Sequence, residues 1–276
     1  MYQDVFKPTY LIEMCKEIGL RPSKLFGQNY LINRGVIQKI LDGAELQSTD
    51  TIVEVGPGFG VLTLGLSPLV KKIISFEIEQ KLTNYWKQTL EEYKNIEIVW
   101  GDILTCFDAY QKELGSYKVV ANLPYQITGK VIPLFLQANN PPISMTIMVQ
   151  KEVAQRICAS KGEMSVLAVA VQYFGNPTVL TYVAAGSFFP PPKVDSAVVH
   201  IANISHKKNA QQFFGIVKAG FANKRKQLWK NLDTAGYDGK QVKEVLVNIG
   251  ATSTARAQEL SVAQWENLVD FLVKKV

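Results

Sequence analysis

A chain of 276 residues that is 47% apolar can bury a full core, and it has room for one large domain with a smaller one beside it. Its 30 Lys and Arg against 24 Asp and Glu give a net charge of +6, which weighs toward a polyanionic partner and against an acidic one. Cys15, Cys106 and Cys158 are scattered and joined by only two histidines, which supports neither a disulfide framework nor a metal cluster; no apolar stretch approaches the roughly 18 residues of a membrane span, so a cytoplasmic, membrane-free protein is expected.

Residues 1–50 read as helical, with a turn-like break between Gly19 and Gly27. From Thr51 to Val199 short β-branched runs alternate with longer amphipathic ones: TIVEVG, KKIISFEIE, IEIVWGD, YKVVANLPY, SMTIMVQKEV, then TVLTYV and DSAVVHI. Strands alternating with helices predict an α/β fold with a mainly parallel, Rossmann-like sheet. The last two runs have no helix-length pattern between them and are expected to pair as an antiparallel hairpin at the sheet edge. Beyond Asn203 the pattern turns helical, with Phe213, Phe214, Val217 and Phe221 on one face. This predicts two domains, 1–203 and a helical 204–276.

The run Glu54-Val55-Gly56-Pro57-Gly58-Phe59-Gly60 follows a strand and precedes a helix, a place where Gly56 and Gly58 let backbone approach a ligand closely. A dinucleotide fingerprint would need glycine where this chain has Val61, which counts against a dehydrogenase. The following strands each end near one polar residue: Glu77, Asp102 and Asn122. Glu77 stands 21 positions after Gly56, close to the spacing of roughly 20 that puts a carboxylate on a ribose diol. Asp102 is then placed to accept from an adenine amine. Either acid alone is an ordinary strand-end residue, but together they outline an adenosine-shaped site without a phosphate clamp.

Asn122-Leu123-Pro124-Tyr125 sits at the mouth of that pocket. As a bare tetrapeptide it is a turn. In a pocket it offers two acceptors, the Asn122 side-chain oxygen and the Leu123 carbonyl, for the two hydrogens of an adenine amine, with Tyr125 able to stack on an extruded base. Phe188-Phe189-Pro190-Pro191-Pro192-Lys193-Val194 reads either as a polyproline linker or as a stiff loop holding Phe188 against the other face of that base.

These segments together resemble the ribosomal RNA adenine dimethyltransferase family, the KsgA type. The resemblance spans nearly the whole chain: KLFGQNYL at 24–31, EVGPGFGVLT at 54–63, Glu77, Gly101-Asp102, NLPY at 122–125, QKEVAQR at 150–156, FFPPPKVDS at 188–196 and FANKRKQLWKNL at 221–232. It implies a class I methyltransferase sheet, S-adenosylmethionine as donor, and dimethylation of two neighbouring adenosines near the 3′ end of small-subunit rRNA during ribosome maturation, in an immature 30S particle. Family roles fall on Asn29, Leu31, Gly56, Gly58, Glu77, Asp102 and Asn122 for the donor, and on Asn122, Leu123, Tyr125 and Phe188 for the target adenine. Tyr30 stands where the family usually has Phe, and Lys24-Leu25 replaces a basic pair.

From Lys207 to Lys230 there are seven basic residues and no acid. A charge run is often only a solvated face, but Lys218 and Arg225 are spaced to share a helical face, which suits phosphate contact. Lys24, Lys218, Lys224, Arg225, Lys226 and Lys230 are the expected RNA contacts. A monomer is expected, since no heptad run or spare amphipathic strand is left over. The alternatives are a large-subunit rRNA methyltransferase of the antibiotic-resistance type and a non-catalytic ribosome-assembly factor; intact Glu77, Asp102, Asn122 and Tyr125 argue against the latter.

Overall fold

The computed structural model describes residues 2–21 and 28–273. Nine strands are present among them: β1 (Tyr30–Leu31), β2 (Thr51–Val55), β3 (Lys72–Glu77), β4 (Ile96–Trp100), β5 (Lys118–Asn122), β6 (Met145–Gln150), β7 (Asn176–Val183), β8 (Phe188–Phe189) and β9 (Ser196–Ala202). Seven form one sheet in the order β4-β3-β2-β5-β6-β9-β7. Neighbours from β4 to β6 are parallel, and β9 runs antiparallel to both β6 and β7. The apolar runs of the parallel strands are buried on both faces, as a sheet covered by helices requires.

The expected antiparallel pairing of the last two strands is present, with β7 at the edge and β9 inserted beside β6. The connection between them is long rather than a tight turn. It carries β8, which leaves the sheet and pairs with β1, Leu31 opposite Phe188 and Tyr30 opposite Phe189. Two-residue strands carry no periodicity, so this ladder has no sequence signature.

The N-terminal segment is helical over Pro8–Glu17 and Arg34–Gly43. Gly19, at φ +62°, ends the first helix in the left-handed conformation that glycine adopts without steric cost.

The chain divides into two compact units, Met1–Ala154 with Asn176–Ser205, and Gln155–Gly175 with His206–Val276. The division after Ser205 lies two residues beyond the one expected. The segment Gln155–Gly175, expected in the first domain, belongs to the second. The reason is apolar: Tyr173, in the helix Val166–Phe174, stacks on Phe213 at 3.9 Å between centroids. The second unit is helical over Ala210–Gly220, Leu228–Thr234, Gly239–Asn248 and Val262–Val273, and Phe213, Phe214, Val217 and Phe221 are all buried in it, with Trp265 fully enclosed.

Candidate active site

The parallel strands end in a cleft. The turn after β2 is built from three glycines with positive φ, Gly56 (+71°), Gly58 (+55°) and Gly60 (+81°), where a side chain would be strained. A Cβ on Gly58 would also meet the Tyr30 ring at 3.0 Å. The helix Thr83–Glu92 fixes the turn from behind: the Trp86 indole donates to the Gly58 carbonyl (3.0 Å) and the Tyr85 hydroxyl to that of Phe59 (2.8 Å).

Asn29, Leu31, Gly56, Gly58, Glu77, Asp102 and Asn122 all line this one cleft, which encloses about 1140 Å³ of empty space, part of it open to solvent. Small-molecule sites run from about 300 to 1000 Å³. Glu77, the last residue of β3, is buried; its carboxylate accepts from the backbone N–H of Gly58 (3.1 Å) and of Glu79 (2.8 Å). Burial pushes its pKa above the usual carboxylate value, and the donors from Glu79, Gly58 and Ile78 oppose that rise. Asp102 caps the helix Ile103–Tyr110 through the Leu104 N–H (3.0 Å), so one carboxylate oxygen serves the scaffold. The Asn122 amide donates to the Asn29 carbonyl (3.4 Å). This assigns its nitrogen to the scaffold and leaves its oxygen as the acceptor.

Tyr125 is half-buried, and its hydroxyl shares a short hydrogen bond with the Ser196 hydroxyl at the start of β9. Leu123 is 1% exposed and its N–H donates to the Met148 carbonyl, tying the tetrapeptide to β6. Phe188 does not line the cleft. Its ring is 3% exposed and packs in the core with Leu31, the residue it pairs with on β1; Leu123 and Tyr125 are likewise absent from the cleft lining, whose aromatic residues are Tyr30, Phe59 and Phe76.

Sequence reading passed over Glu54 and Tyr30. Glu54 is buried within β2 and lines the cleft; its carboxylate accepts from Thr63 (2.7 Å) and Ser75 (2.6 Å), and burial pushes its pKa up to about 7. An acid inside the otherwise apolar TIVEV run was the available signal. The Tyr30 hydroxyl is buried without a hydrogen-bond partner, and burial raises its pKa strongly.

The basic residues of the second unit are placed differently from the expectation. Lys218 is exposed on the helix Ala210–Gly220, but that helix stops at Gly220, and Lys224, Arg225 and Lys226 lie exposed in the loop before Leu228. Lys218 and Arg225 therefore share no helical face. The Asn231 amide donates to the carbonyls of Gly220 (2.6 Å) and Asn223 (3.0 Å), and the Asn223 side chain accepts from the Arg225 N–H, so side chains rather than helix continuation satisfy this backbone. Lys230 is exposed on the helix Leu228–Thr234, and Lys24 lies outside the described residues.

The family model for ribosomal RNA adenine dimethylase matches residues 20–274. The chain belongs to that family. Similar to this dimethylase are the ribosomal RNA small subunit methyltransferase A of Dehalococcoides mccartyi strain 195, 40% identical over 93% of this chain and 90% of that protein, and that of Listeria monocytogenes strain HCC23, 34% identical over 99% and 98%. Among solved structures, a dimethyladenosine transferase from Plasmodium falciparum superposes with a TM-score of 0.74 at 27% identity, covering 89% of this chain and 98% of that one. The 23S rRNA methyltransferase ErmE gives 0.70 at 25% identity, covering 88% and 99%.

The dimethylase is an S-adenosylmethionine-dependent enzyme. Its cleft fits that donor: the Gly-rich floor lacks side chains, and a buried carboxylate held only by neutral N–H groups keeps acceptor capacity for ribose hydroxyls. Among the described residues no group of His, Cys, Asp and Glu could hold a metal ion, and no helix is long and apolar enough to cross a membrane.

Proposed function

We propose that this chain dimethylates the exocyclic amines of two adjacent adenosines near the 3′ end of 16S rRNA, acting as a cytoplasmic monomer on an immature 30S particle during ribosome biogenesis. The observation that carries the reading is Asn122, which ends β5 and lines the cleft with its amide nitrogen bonded to the Asn29 carbonyl, Tyr125 following three residues later.

When bound, S-adenosylmethionine supplies an electrophilic methyl group on a positively charged sulfonium. Glu77 would hold its ribose and Asp102 its adenine amine, with Asn29, Leu31, Gly56 and Gly58 around it. The chain's task is to make the target amine nucleophilic, since the amine's lone pair is delocalised into the ring. The Asn122 side-chain oxygen and the Leu123 carbonyl accept its two hydrogens, drawing the nitrogen toward tetrahedral geometry. Tyr125 stacks on the extruded base and is itself held by Ser196. A stacking role for Phe188 requires the β1–β8 ladder to shift, because its ring lies in the core.

The exposed cations Lys218, Lys224, Arg225, Lys226 and Lys230 of the second unit serve as phosphate contacts. Relatives at 34–40% identity are named for the small subunit, against 25% for ErmE, which favours small-subunit over large-subunit rRNA. Labelled donor incubated with undermethylated 30S particles, with 50S particles and with naked 16S RNA tests the reading. Label is expected on adenosines of the 30S particle. Label on the 50S particle instead would replace the substrate assignment, and label on neither would refute it.

A further inference from the structure

Ser196, the first residue of β9, is fully buried (0% exposed), and its hydroxyl hydrogen-bonds that of Tyr125. The tetrapeptide 122–125 leaves the sheet from the end of β5, with β6 lying between β5 and β9. Neighbouring strands are about 4.8 Å apart, so the Tyr125 side chain spans the end of β6 to reach this partner. Tyr125 itself lies between residues that line the cleft, Asn122 and Pro124 on one side and Gln126 and Ile127 on the other.

The backbone of the tetrapeptide is held independently of that bond. The Leu123 N–H donates to the Met148 carbonyl (3.1 Å), and the Pro124 carbonyl accepts from the Ile127 N–H (3.1 Å) and the Thr128 hydroxyl (3.2 Å). None of these sets the direction of the Tyr125 ring, which turns about its side-chain torsions unless its far end is tied. Ser196 ties it, and Ser196 is itself rigidly placed. It pairs with Gln150 on β6 and Val183 on β7. The preceding residue, Asp195, accepts from the Lys151 N–H at its carbonyl (2.9 Å) and from the Ala185 N–H at its carboxylate (3.1 Å). As a stability device the pair gains little, since two buried groups of the same shape without hydroxyls would pack about as well. What the pair adds is orientation, because the ring is fixed at both ends by parts of the sheet.

We propose that Ser196 is a positioning residue for methyl transfer, locking the Tyr125 ring in the plane on which the extruded adenine stacks, so that the target amine is presented to the Asn122 side chain and the Leu123 carbonyl. The proposal rests on the adenine methyltransferase reading above. Misplacing a reacting group by about 1 Å costs up to about 10²-fold in rate. A ring freed at its hydroxyl end therefore slows the transfer step, while the phosphate contacts that dominate RNA affinity are untouched.

The test is a double-variant cycle read as single-turnover methyl transfer by the full chain to undermethylated 30S particles, at saturating donor and saturating particle. Ser196→Ala and Tyr125→Phe are each expected to lower the rate about ten-fold, and the double variant to fall no further than either alone. The dissociation constants for S-adenosylmethionine and for the particle are expected to stay at the parental values. Thermal melting confirms that each variant is folded. A purely structural role would lower the melting temperature and leave the single-turnover rate of the folded protein unchanged, which overturns the proposal. Losses that multiply in the double variant also overturn it, because Ser196 would then act through something other than the Tyr125 hydroxyl. Should Ser196→Ala fail to fold, Tyr125→Phe decides alone, the expected loss upholding the proposal and a parental rate overturning it. A parent protein that transfers no methyl to the particle refutes the RNA reading itself, and the proposal falls with it.

Discussion

The two ends of the central sheet treat buried charge in opposite ways. At the amino ends, Lys118 at the start of β5 is 9% exposed and closed off: its ammonium pairs with Asp50 at 2.9 Å and donates to the Glu45 carbonyl at 2.6 Å, while Asp50 also accepts from the Gln47 N–H. At the carboxyl ends Glu54 and Glu77 are as deeply buried, yet among the described residues neither has a cation within ion-pair distance. Hydroxyl and amide donors hold them, and burial raises both pKa values. A buried charge neutralised by a partner belongs to the scaffold. One held only by neutral donors keeps acceptor capacity, and that is the end where the proposed donor and target-base sites lie.

The comparison can be broken first at Asn122. Asn122→Ala is expected to cut single-turnover methyl transfer by roughly 10²–10³ at saturating donor while the RNA dissociation constant moves little, because the hydrogen bond is realised fully only in the transition state. Transfer at the parental rate would reduce the tetrapeptide to a turn.

At the opposite end, Asp50→Ala leaves the Lys118 ammonium with a single carbonyl. A loss of about 3 kcal/mol in denaturant unfolding is expected, with donor affinity unchanged in the folded protein. An equal loss of donor binding would show that the two ends are not separable.

Glu54 sharpens the contrast through pH. Its folded pKa of about 7 lies above the ordinary 4.5, so the folded state binds the extra proton. The stabilisation is complete below pH 4.5 and is lost as the pH rises through 7, amounting to about 3 kcal/mol. Glu54→Gln should remove that slope and keep an acceptor for Thr63 and Ser75; parallel pH–stability curves for parent and variant would contradict the argument.

The smallest effect is assigned to Glu77→Ala, expected to weaken donor binding by about 2 kcal/mol in calorimetric titration through loss of charge-assisted hydrogen bonds. An unchanged dissociation constant would remove Glu77 from the donor site.

The cleft was legible because in a parallel sheet strand ends are functional positions. Once β-branched runs locate the strands, Glu77 and Asn122 fall on the ends of β3 and β5, and the glycine turn follows β2. Glu54 escaped because the same logic looks at strand ends, and it lies one residue inside. Arg225 was misplaced for another reason. Helical spacing continues through Phe221 in the sequence, past the Gly220 at which the helix ends, and Asn223 and Asn231 satisfy the backbone beyond it by side-chain hydrogen bonds that the spacing does not record.

What the sequence by itself determined was local and periodic: the alternation of strands and helices, the polar strand ends, the glycines that φ requires, and the motifs that mark the family. Tertiary structure decided which distant segments meet. The β1–β8 ladder sets Leu31 against Phe188 and turns that ring into the core, Tyr173 recruits Gln155–Gly175 into the second unit by stacking on Phe213, and β9 carries Ser196 to Tyr125. Such contacts follow from burying apolar area and satisfying polar groups across many residues of separation, and no local period records them.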